Sequence, residues 1–226
     1  MTTPDGPCDS PTPATPTSSA DLAALAEAKQ TMRRAVRRAR SLQDAETRAA
    51  ADRERTARVL GFLAGRVGPG LTVAAYLSRD DEPGTLELIS ALHASGVRVL
   101  LPVLGPPEAP LREPDWARYA GPEQLRNAAH GITEPATPAL GPQALAEAEV
   151  IICPALGVTR LGDRLGMGAG WYDRALTRAA AEAVTVALVD DAEVFDILPI
   201  EPWDRRVDVV ATPSDLFSTL EPDAMR

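Results

Sequence analysis

Short apolar runs alternate with helical stretches from residue 71 onward, and few folds are compatible with this alternation. Residues 71–77 (LTVAAYL) and 97–104 (VRVLLPVL) are typical of strands, and residues 85–96 (TLELISALHASG) between them are typical of a helix. The strand runs are continuously apolar, as expected for a sheet that is covered on both faces. The sequence therefore predicts an α/β fold: a three-layer, Rossmann-like, mostly parallel sheet with helices on both faces.

The same alternation resumes after a Pro- and Gly-rich excursion over residues 105–141. We expect strands over residues 149–154, 184–189 and 207–212, and helical structure over residues 143–148 and 171–183. The length of 226 residues suits one α/β domain, which we place at residues 20–226.

The N-terminal region divides into a tail and a helix. Residues 1–19 are rich in Pro, Thr and Ser and, apart from Met1, hold no large apolar residue, so we expect a disordered tail. Ser19 or Asp21 is a suitable cap for a strongly basic helix that continues towards Leu60. Its apolar positions recur at helical spacing: Leu22, Leu25, Met32 and Val36.

Charge and cysteine usage exclude several classes of function. The net charge of −9 disfavours nucleic acid and anionic membranes as partners, so an anionic substrate needs local positive charge. Cys8 and Cys153 are too few for a disulfide framework or a CxxC metal site, which indicates a reducing compartment. No apolar stretch is long enough to span a bilayer and no signal peptide is recognisable, so we expect a cytoplasmic protein.

Gly166, Gly168 and Gly170 stand directly before a predicted helix, with Arg164 and Arg174 at either edge. Alternating glycines let backbone amides converge on an anion, although a simple turn has the same composition. A dinucleotide fold, with Asp190 as the ribose-binding acid, is a weaker alternative because residues 155–165 separate the strand from the glycines. A Walker A loop is excluded, since no Gly-Lys-Ser/Thr occurs.

Lys29 is the only lysine among 23 basic residues, which suggests a place that needs a compact ammonium, such as a phosphate contact. Arg33 lies four residues on and shares its helix face, so the two could clamp a phosphate together. A leftover lysine on a solvated helix face is the plainer alternative.

Asp173 and Asp204 are candidate Mg²⁺ ligands, because magnesium takes a few hard oxygen ligands beside substrate phosphates. For Asp204 the alternative is a turn or an ion pair with Arg205 or Arg206, and only the fold can bring it near Asp173. His93 and His130 have no partners at metal-ligand spacing, so we expect packing or surface roles for them.

The stretch RLGMGAGWYDRAL (residues 164–176) resembles the RLGxGxGyYDRxL signature of the 5-formyltetrahydrofolate cyclo-ligase family, also called methenyltetrahydrofolate synthetases. Four weaker elements follow the order of that family: AKQTMRRAVRRAR (28–40), YLSRDDEPGT (76–85), GITEP (131–135) and LPIEPWDRRVD (198–208). The resemblance therefore covers most of the chain from Lys29 to Val210.

The resemblance implies roles for individual residues. Those that match ATP-binding positions are Lys29, Arg33, Arg164, Leu165, Gly166, Met167, Gly168, Ala169, Gly170, Trp171 and Tyr172. Those that match folate-binding positions are Leu77, Glu82, Met167, Gly168, Gly170 and Trp171. Asp173 and Asp204 match the magnesium-associated acids, and we expect Lys29, Arg164 and Asp173 to act in catalysis.

The implied activity is the ATP- and Mg²⁺-dependent conversion of 5-formyltetrahydrofolate, with or without a polyglutamate tail, to 5,10-methenyltetrahydrofolate. It proceeds through a phosphorylated formyl group and releases ADP and phosphate. We expect a monomer or weak homodimer. Trp171, Trp203 and Glu193 depart from common family residues, which bears on substrate fit. Two alternatives remain: a non-catalytic folate or nucleotide binder, and a sugar-phosphate isomerase or CoA-transferase-like enzyme on a similar sheet.

Overall fold

The structure is a computed structural model that describes residues 18–106 and 108–219. Its α-helices are α1 (Ser19–Ser41), α2 (Ala45–Phe62), α3 (Leu86–Ala94) and α4 (Trp171–Ala175). Its strands are β1 (Thr72–Ala74), β2 (Arg98–Val103), β3 (Asp115–Arg118), β4 (Leu125–Asn127), β5 (Thr133–Pro135), β6 (Val150–Pro154), β7 (Gly157–Thr159), β8 (Arg164–Leu165), β9 (Val184–Leu188), β10 (Val194–Phe195), β11 (Val209–Ala211) and β12 (Leu216–Ser218). None of the helices in these ranges has the length and apolar composition needed to cross a membrane.

Seven of the described strands form one sheet in the order β12-β11-β9-β6-β1-β2-β3. All neighbours are parallel except the two edge strands, β3 and β12, which pair in antiparallel fashion. Nearly every residue of β1, β6, β9 and β11 is buried. Successive strand residues face opposite sides of a sheet, so both faces are covered. The prediction of an α/β fold around a mostly parallel sheet is confirmed.

The strand order creates a switch point at the centre of the sheet. β1 lies between β2 and β6, so the chain builds outward on one side of β1 and then continues on the other. In such sheets a crevice opens at the carboxyl ends of the strands that flank the switch point. The residues that follow β1 and β6 are therefore placed at the mouth of this crevice.

The predicted long basic helix is two helices. α1 ends at Ser41, and Asp44 caps α2 by accepting a hydrogen bond from Thr47 N at 2.8 Å. The start of α1 also differs, because the cap is Ser18 rather than Ser19 or Asp21. Ser18 Oγ accepts from Asp21 N at 3.1 Å, and Asp21 Oδ2 accepts from Ser18 N at 3.0 Å. Ser19, assigned to the tail from the sequence, is thus helical, and residues 1–17 of that tail lie outside the described residues.

Two further helical predictions were wrong in length or type. Over residues 171–183 the α-helix is only the five residues of α4, followed by a 3₁₀ turn at Leu176–Arg178. The stretch at residues 143–148 belongs to a 3₁₀ helix, Pro142–Glu147. Alanine favours the helix, but without a wide apolar face to bury, propensity alone does not fix a long one. The excursion at 105–141 supplies edge strand β3 and the β4–β5 hairpin, which the sequence did not predict.

Buried ion pairs fix α1 and α2 to the loop after β9. Arg40 of α1 makes a two-pronged contact with Glu193, with both bonds at 2.7 Å. Arg55 of α2 contacts Asp190, which also accepts a hydrogen bond from Gln43 Nε2 at 2.9 Å. Asp190 is therefore a structural anchor, and the alternative that it binds a ribose is wrong for this fold.

Candidate active site

One cleft of about 630 Å³ opens at the carboxyl edge of the sheet, where the strand order predicts a crevice. α1, the ends of β1, β2 and β6, the segment around the glycines and the loop before β11 all contribute to its walls. The ionisable side chains that line it are mostly basic, in a chain of net charge −9. The basic ones are Lys29, Arg33, Arg37, Arg79, Arg164 and Arg174, and the acidic ones are Glu82, Asp173, Glu201 and Asp204. The local positive charge that we expected in this acidic protein therefore lies in this cleft.

The glycine loop, residues 166–170, follows β8 and not the parallel strand β6. Residues 155–165 form the β7–β8 hairpin of a small second sheet, which is why the dinucleotide-binding spacing fails. Gly168 has φ +111° and Gly170 φ +62°, values at which a side chain is strained. The loop therefore requires glycine at these two positions.

Arginine side chains hold three carbonyl groups of this loop. Arg33 Nε donates to Gly166 O at 2.9 Å, and Arg37 Nη2 donates to Met167 O at 3.1 Å. From the other side, Arg174 Nη1 donates to Ala169 O at 3.0 Å. The arginines of α1 and α4 thus fix the backbone of the loop from both edges.

Lys29 is buried at the same end of the cleft, with 5% of its side chain exposed. Its ammonium lies 2.5 Å from both Glu201 Oε2 and Asp204 Oδ2. Asp204 Oδ2 also accepts from Glu201 N at 2.8 Å, which closes a tight turn around the lysine. The alternative of a lysine on a solvated helix face is wrong, because the structure places Lys29 inside the cleft.

Asp173 and Asp204 line this one cleft, which their sequence separation could not have indicated. Asp173 Oδ1 accepts from Arg164 Nη2 at 2.5 Å and from Arg205 N at 3.3 Å. Asp204 pairs with Lys29, so the alternative of an ion pair with Arg205 or Arg206 does not hold. Arg206 pairs instead with Asp163, at 2.8 Å.

The two aspartates suit a magnesium ion that arrives with phosphates. Asp173 makes both of its contacts through Oδ1 and Asp204 through Oδ2, so each carboxylate keeps one oxygen free of donors in the described part of the chain. Residues 18–106 and 108–219 hold no cluster of three or more His, Cys, Asp or Glu side chains arranged for a metal. Magnesium commonly uses one or two carboxylates, with phosphate and water completing its shell.

Part of the cleft lining is apolar and aromatic and includes Leu77, Trp171 and Tyr172, of which the last two directly follow the glycine loop. Trp171 meets Trp116 edge to face, with ring centroids 5.3 Å apart, and this contact fixes the indole at the cleft surface. Glu82 also lines the cleft, and burial raises its pKa above the ordinary value. Its Oε2 accepts from Arg79 N at 2.9 Å, so the loop after β1 presents the carboxyl in a fixed position.

Hydrogen bonds outside the cleft fix the loop after β1 and the segment after β2. Gly84 N donates to Asp52 Oδ1 of α2 at 2.7 Å. Glu134, which is fully buried, accepts from Leu104 N at 2.6 Å and Gly105 N at 3.1 Å, so the GITEP element shapes the neighbouring wall. These contacts give a structural role to two of the family elements, YLSRDDEPGT (76–85) and GITEP (131–135).

Two residues singled out from the sequence do not line the cleft, and the helix predicted after the glycines is short. Leu165 does not line the cleft, because its side chain is buried beside Val36, Leu156 and Leu198. Glu193 does not line it either and pairs with Arg40, whereas Trp203 does line it and is 57% exposed. α4 has only five residues, so the dipole of a long helix is not available to the glycine loop.

The other predicted site residues all line the cleft: Lys29, Arg33, Leu77, Glu82, Arg164, Gly166, Met167, Gly168, Ala169, Gly170, Trp171, Tyr172, Asp173 and Asp204. Sequence reasoning missed Arg37 and Glu201, and it placed Arg174 at the edge of the glycines only as a source of charge. Arg37 lies eight residues after Lys29 on α1, a spacing that keeps it on the same helix face. Glu201 lies three residues before Asp204 in the same turn, and no pattern marked it.

Sequence comparison relates this chain to one family. A sequence model of the 5-formyltetrahydrofolate cyclo-ligase family matches residues 25–213. The 5-formyltetrahydrofolate cyclo-ligase of Mycolicibacterium smegmatis is 44% identical over 154 residues, which are 68% of this chain and 79% of that protein. The protein of the same name from Escherichia coli K12 is 35% identical over 147 residues, 65% of this chain and 80% of that protein.

Solved structures agree on the fold. The 5,10-methenyltetrahydrofolate synthetase of Aquifex aeolicus aligns with a TM-score of 0.72 at 24% identity, over 85% of this chain and 93% of that one. The 5,10-methenyltetrahydrofolate synthetase of Mycoplasma pneumoniae aligns with a TM-score of 0.64 at 18% identity, over 82% of this chain and 98% of that one.

Proposed function

The chain belongs to the 5-formyltetrahydrofolate cyclo-ligase family, and from this premise we propose that its cleft converts 5-formyltetrahydrofolate to 5,10-methenyltetrahydrofolate at the expense of ATP. The products besides the folate are ADP and phosphate. The observation that carries the proposal is that one cleft is lined by a glycine loop, by several cations and by apolar and aromatic side chains.

Two groups of residues in the cleft match the two substrates. Polyphosphate needs amide donors and cations, which the glycine loop, Lys29 and Arg33 supply. A pterin needs an apolar, aromatic surface with a few polar groups, which Leu77, Trp171 and Glu82 supply. Because burial raises the pKa of Glu82, its carboxyl keeps a proton more readily and can then both donate to and accept from a heterocycle edge.

The reaction divides into two bond-forming steps. The formyl oxygen attacks the γ-phosphorus of ATP, and the bond to ADP breaks, so the oxygen becomes part of a leaving group. N10 then attacks the activated carbon and loses its proton, and phosphate departs with the former formyl oxygen. Such chemistry depends mainly on positioning and on neutralising charge around the transferred phosphoryl group.

The residues of the cleft can meet both demands. Lys29 and Arg164 are buried cations held in place by Glu201, Asp204 and Asp173, so they need little reorganisation when charge develops on the phosphoryl oxygens. Asp173 and Asp204 would hold Mg²⁺ with the phosphates. A bound Mg²⁺ ion would supply positive charge that neutralises the phosphate oxygens.

The direct test mixes purified protein with 5-formyltetrahydrofolate, ATP and Mg²⁺ and follows the absorbance of the methenyl product. We expect product from the wild type, and a loss of at least about a hundredfold in kcat/KM for Lys29→Ala and Asp173→Ala. Arg34→Ala is the matched control, because Arg34 is an exposed arginine of α1 outside the cleft. It should keep wild-type activity.

Other outcomes would contradict the proposal in different ways. Binding of both substrates without methenyl formation would indicate a non-catalytic binder. Turnover of a sugar phosphate or a CoA thioester without ATP would indicate an unrelated activity on the same sheet. Full activity of either cleft variant would reject the role given to that residue.

A further inference from the structure

We propose that Arg37 is a positioning residue for the nucleotide: with Arg33 and Arg174 it turns the carbonyl groups of the glycine loop outward, so that the loop amides face the polyphosphate. The inference rests on the proposed function for the identity of the anion. It assigns a role to Arg37, which the sequence pattern did not single out, and a specific contact to Arg174.

The geometry of the peptide bond carries the argument. In a trans peptide the C=O of one residue and the N–H of the next point in opposite directions. Fixing Gly166 O, Met167 O and Ala169 O on guanidinium groups therefore directs the N–H groups of the residues that follow them. Those donors belong to Met167, Gly168 and Gly170.

These three amides are unoccupied. Across residues 18–106 and 108–219, no acceptor contacts the N–H of Met167, Gly168 or Gly170. Neighbouring amide donors without acceptors are available to bind phosphate oxygens, as in nest-type anion sites. The arginines thus decide which face of the loop can accept an anion.

Charge on α1 supports the same assignment. Burial, and then the neighbouring charge of Arg37, lower the pKa of Arg33. No carboxylate in the described part of the chain forms an ion pair with either arginine. Asp204, Glu201 and Asp173 act in the opposite direction on the pKa of Arg33 without pairing with it, and a bound anion would add to their effect.

The position of Arg37 makes the proposal testable without unfolding the protein. Its side chain is exposed, and its hydrogen bond to Met167 O reaches the loop from outside the core. Without the guanidinium of Arg37 as donor to Met167 O, the loop amides should be less ordered before ATP binds. We expect the KM for MgATP to rise roughly tenfold in Arg37→Met, with kcat and the KM for the folate changed less than about twofold.

The experiment compares four proteins: wild type, Arg37→Met, Arg37→Lys and Arg38→Ala. Met approximates the length of Arg without donor or charge, and Lys restores one donor and the charge, so Arg37→Lys should recover most of the loss. Arg38→Ala removes the neighbouring exposed arginine, which does not line the cleft, and should behave as wild type. Calorimetric titration with ATP and Mg²⁺ in the absence of folate measures the same loss as a binding constant.

Salt separates a carbonyl contact from a general effect of charge. At about 0.5 M KCl, exposed charges are strongly screened, whereas a hydrogen bond to a carbonyl persists. A tenfold gap between wild type and Arg37→Met that survives salt supports the proposal. A gap that vanishes in salt, unchanged ATP binding in Arg37→Met, or an equal rise in the KM for the folate would overturn it. The titration reads nucleotide binding even if no methenyl product forms, so the two proposals can fail independently.

Discussion

Removing Arg40 should destabilise the protein far more than removing an exposed arginine, because its partner is also buried. The side chains of Arg40 and Glu193 are 2% and 7% exposed, and two hydrogen bonds of 2.7 Å join them. Arg40→Met would leave the Glu193 carboxylate buried without a cation. Such an uncompensated charge costs about 3–5 kcal/mol, and at about 2–4 °C per kcal/mol the melting temperature should fall by roughly 6–20 °C.

The double variant Arg40→Met/Glu193→Gln tests the cause. It removes both charges while the glutamine oxygen can still accept from Asp190 N, a contact that Glu193 makes at 2.9 Å. We expect the double variant to be more stable than Arg40→Met, with a coupling energy of about 2 kcal/mol or more. Equilibrium unfolding in urea gives each free energy of unfolding.

Arg98→Met is the matched control, since Arg98 and Glu147 form an ion pair with side chains 36% and 54% exposed. Exposed pairs contribute at most about 1 kcal/mol. The reasoning would be refuted if Arg40→Met lowered the free energy of unfolding no more than Arg98→Met does. It would also be refuted if the effects of Arg40→Met and Glu193→Gln on the free energy of unfolding were additive. α1 carries Lys29 about three turns before Arg40, so loss of this anchor should also weaken MgATP binding.

Two other groups give predictions from their burial. Because burial raises the pKa of Glu82 above its ordinary 4.5, the folded protein holds this proton more tightly than the unfolded chain, and the contribution of Glu82 to stability falls as pH rises through that window. Glu82→Gln should therefore flatten the fall in unfolding free energy above about pH 4.5, and an unchanged slope in urea titrations at several pH values would contradict this. Burial also raises the pKa of Cys153 to about 12, so in a Cys8→Ser background a thiolate-specific reagent should label no thiol of the native protein and one thiol in urea; fast native labelling would show that Cys153 is accessible.

The fold was largely predictable from the strands, for a reason visible in their burial. β1, β6, β9 and β11 are covered on both faces, so their sequences are almost entirely apolar. Helix boundaries were less predictable. The break between α1 and α2 depends on the cap at Asp44, and the short α4 shows that alanine content does not decide where a helix ends.

The site was predictable wherever local backbone chemistry specifies it. Gly168 and Gly170 adopt positive φ values, and only glycine does so without strain. The glycines in the sequence therefore predict the loop. Departures from the family were harder to interpret. From the sequence, Glu193 and Trp203 were both known only as departures from common family residues. In the structure, Glu193 is a buried partner of Arg40, whereas Trp203 lies on the cleft surface.

The sequence by itself determined the elements: apolar strands, the glycine loop, and a basic helix face that carries Lys29 and Arg33. Only the tertiary structure decided which of them meet. Lys29 reaches Asp204 across 175 residues and Arg33 reaches Gly166 across 133. These contacts exist because β6 returns to the opposite side of β1, which brings distant loops to one edge of the sheet, and no local pattern encodes that order.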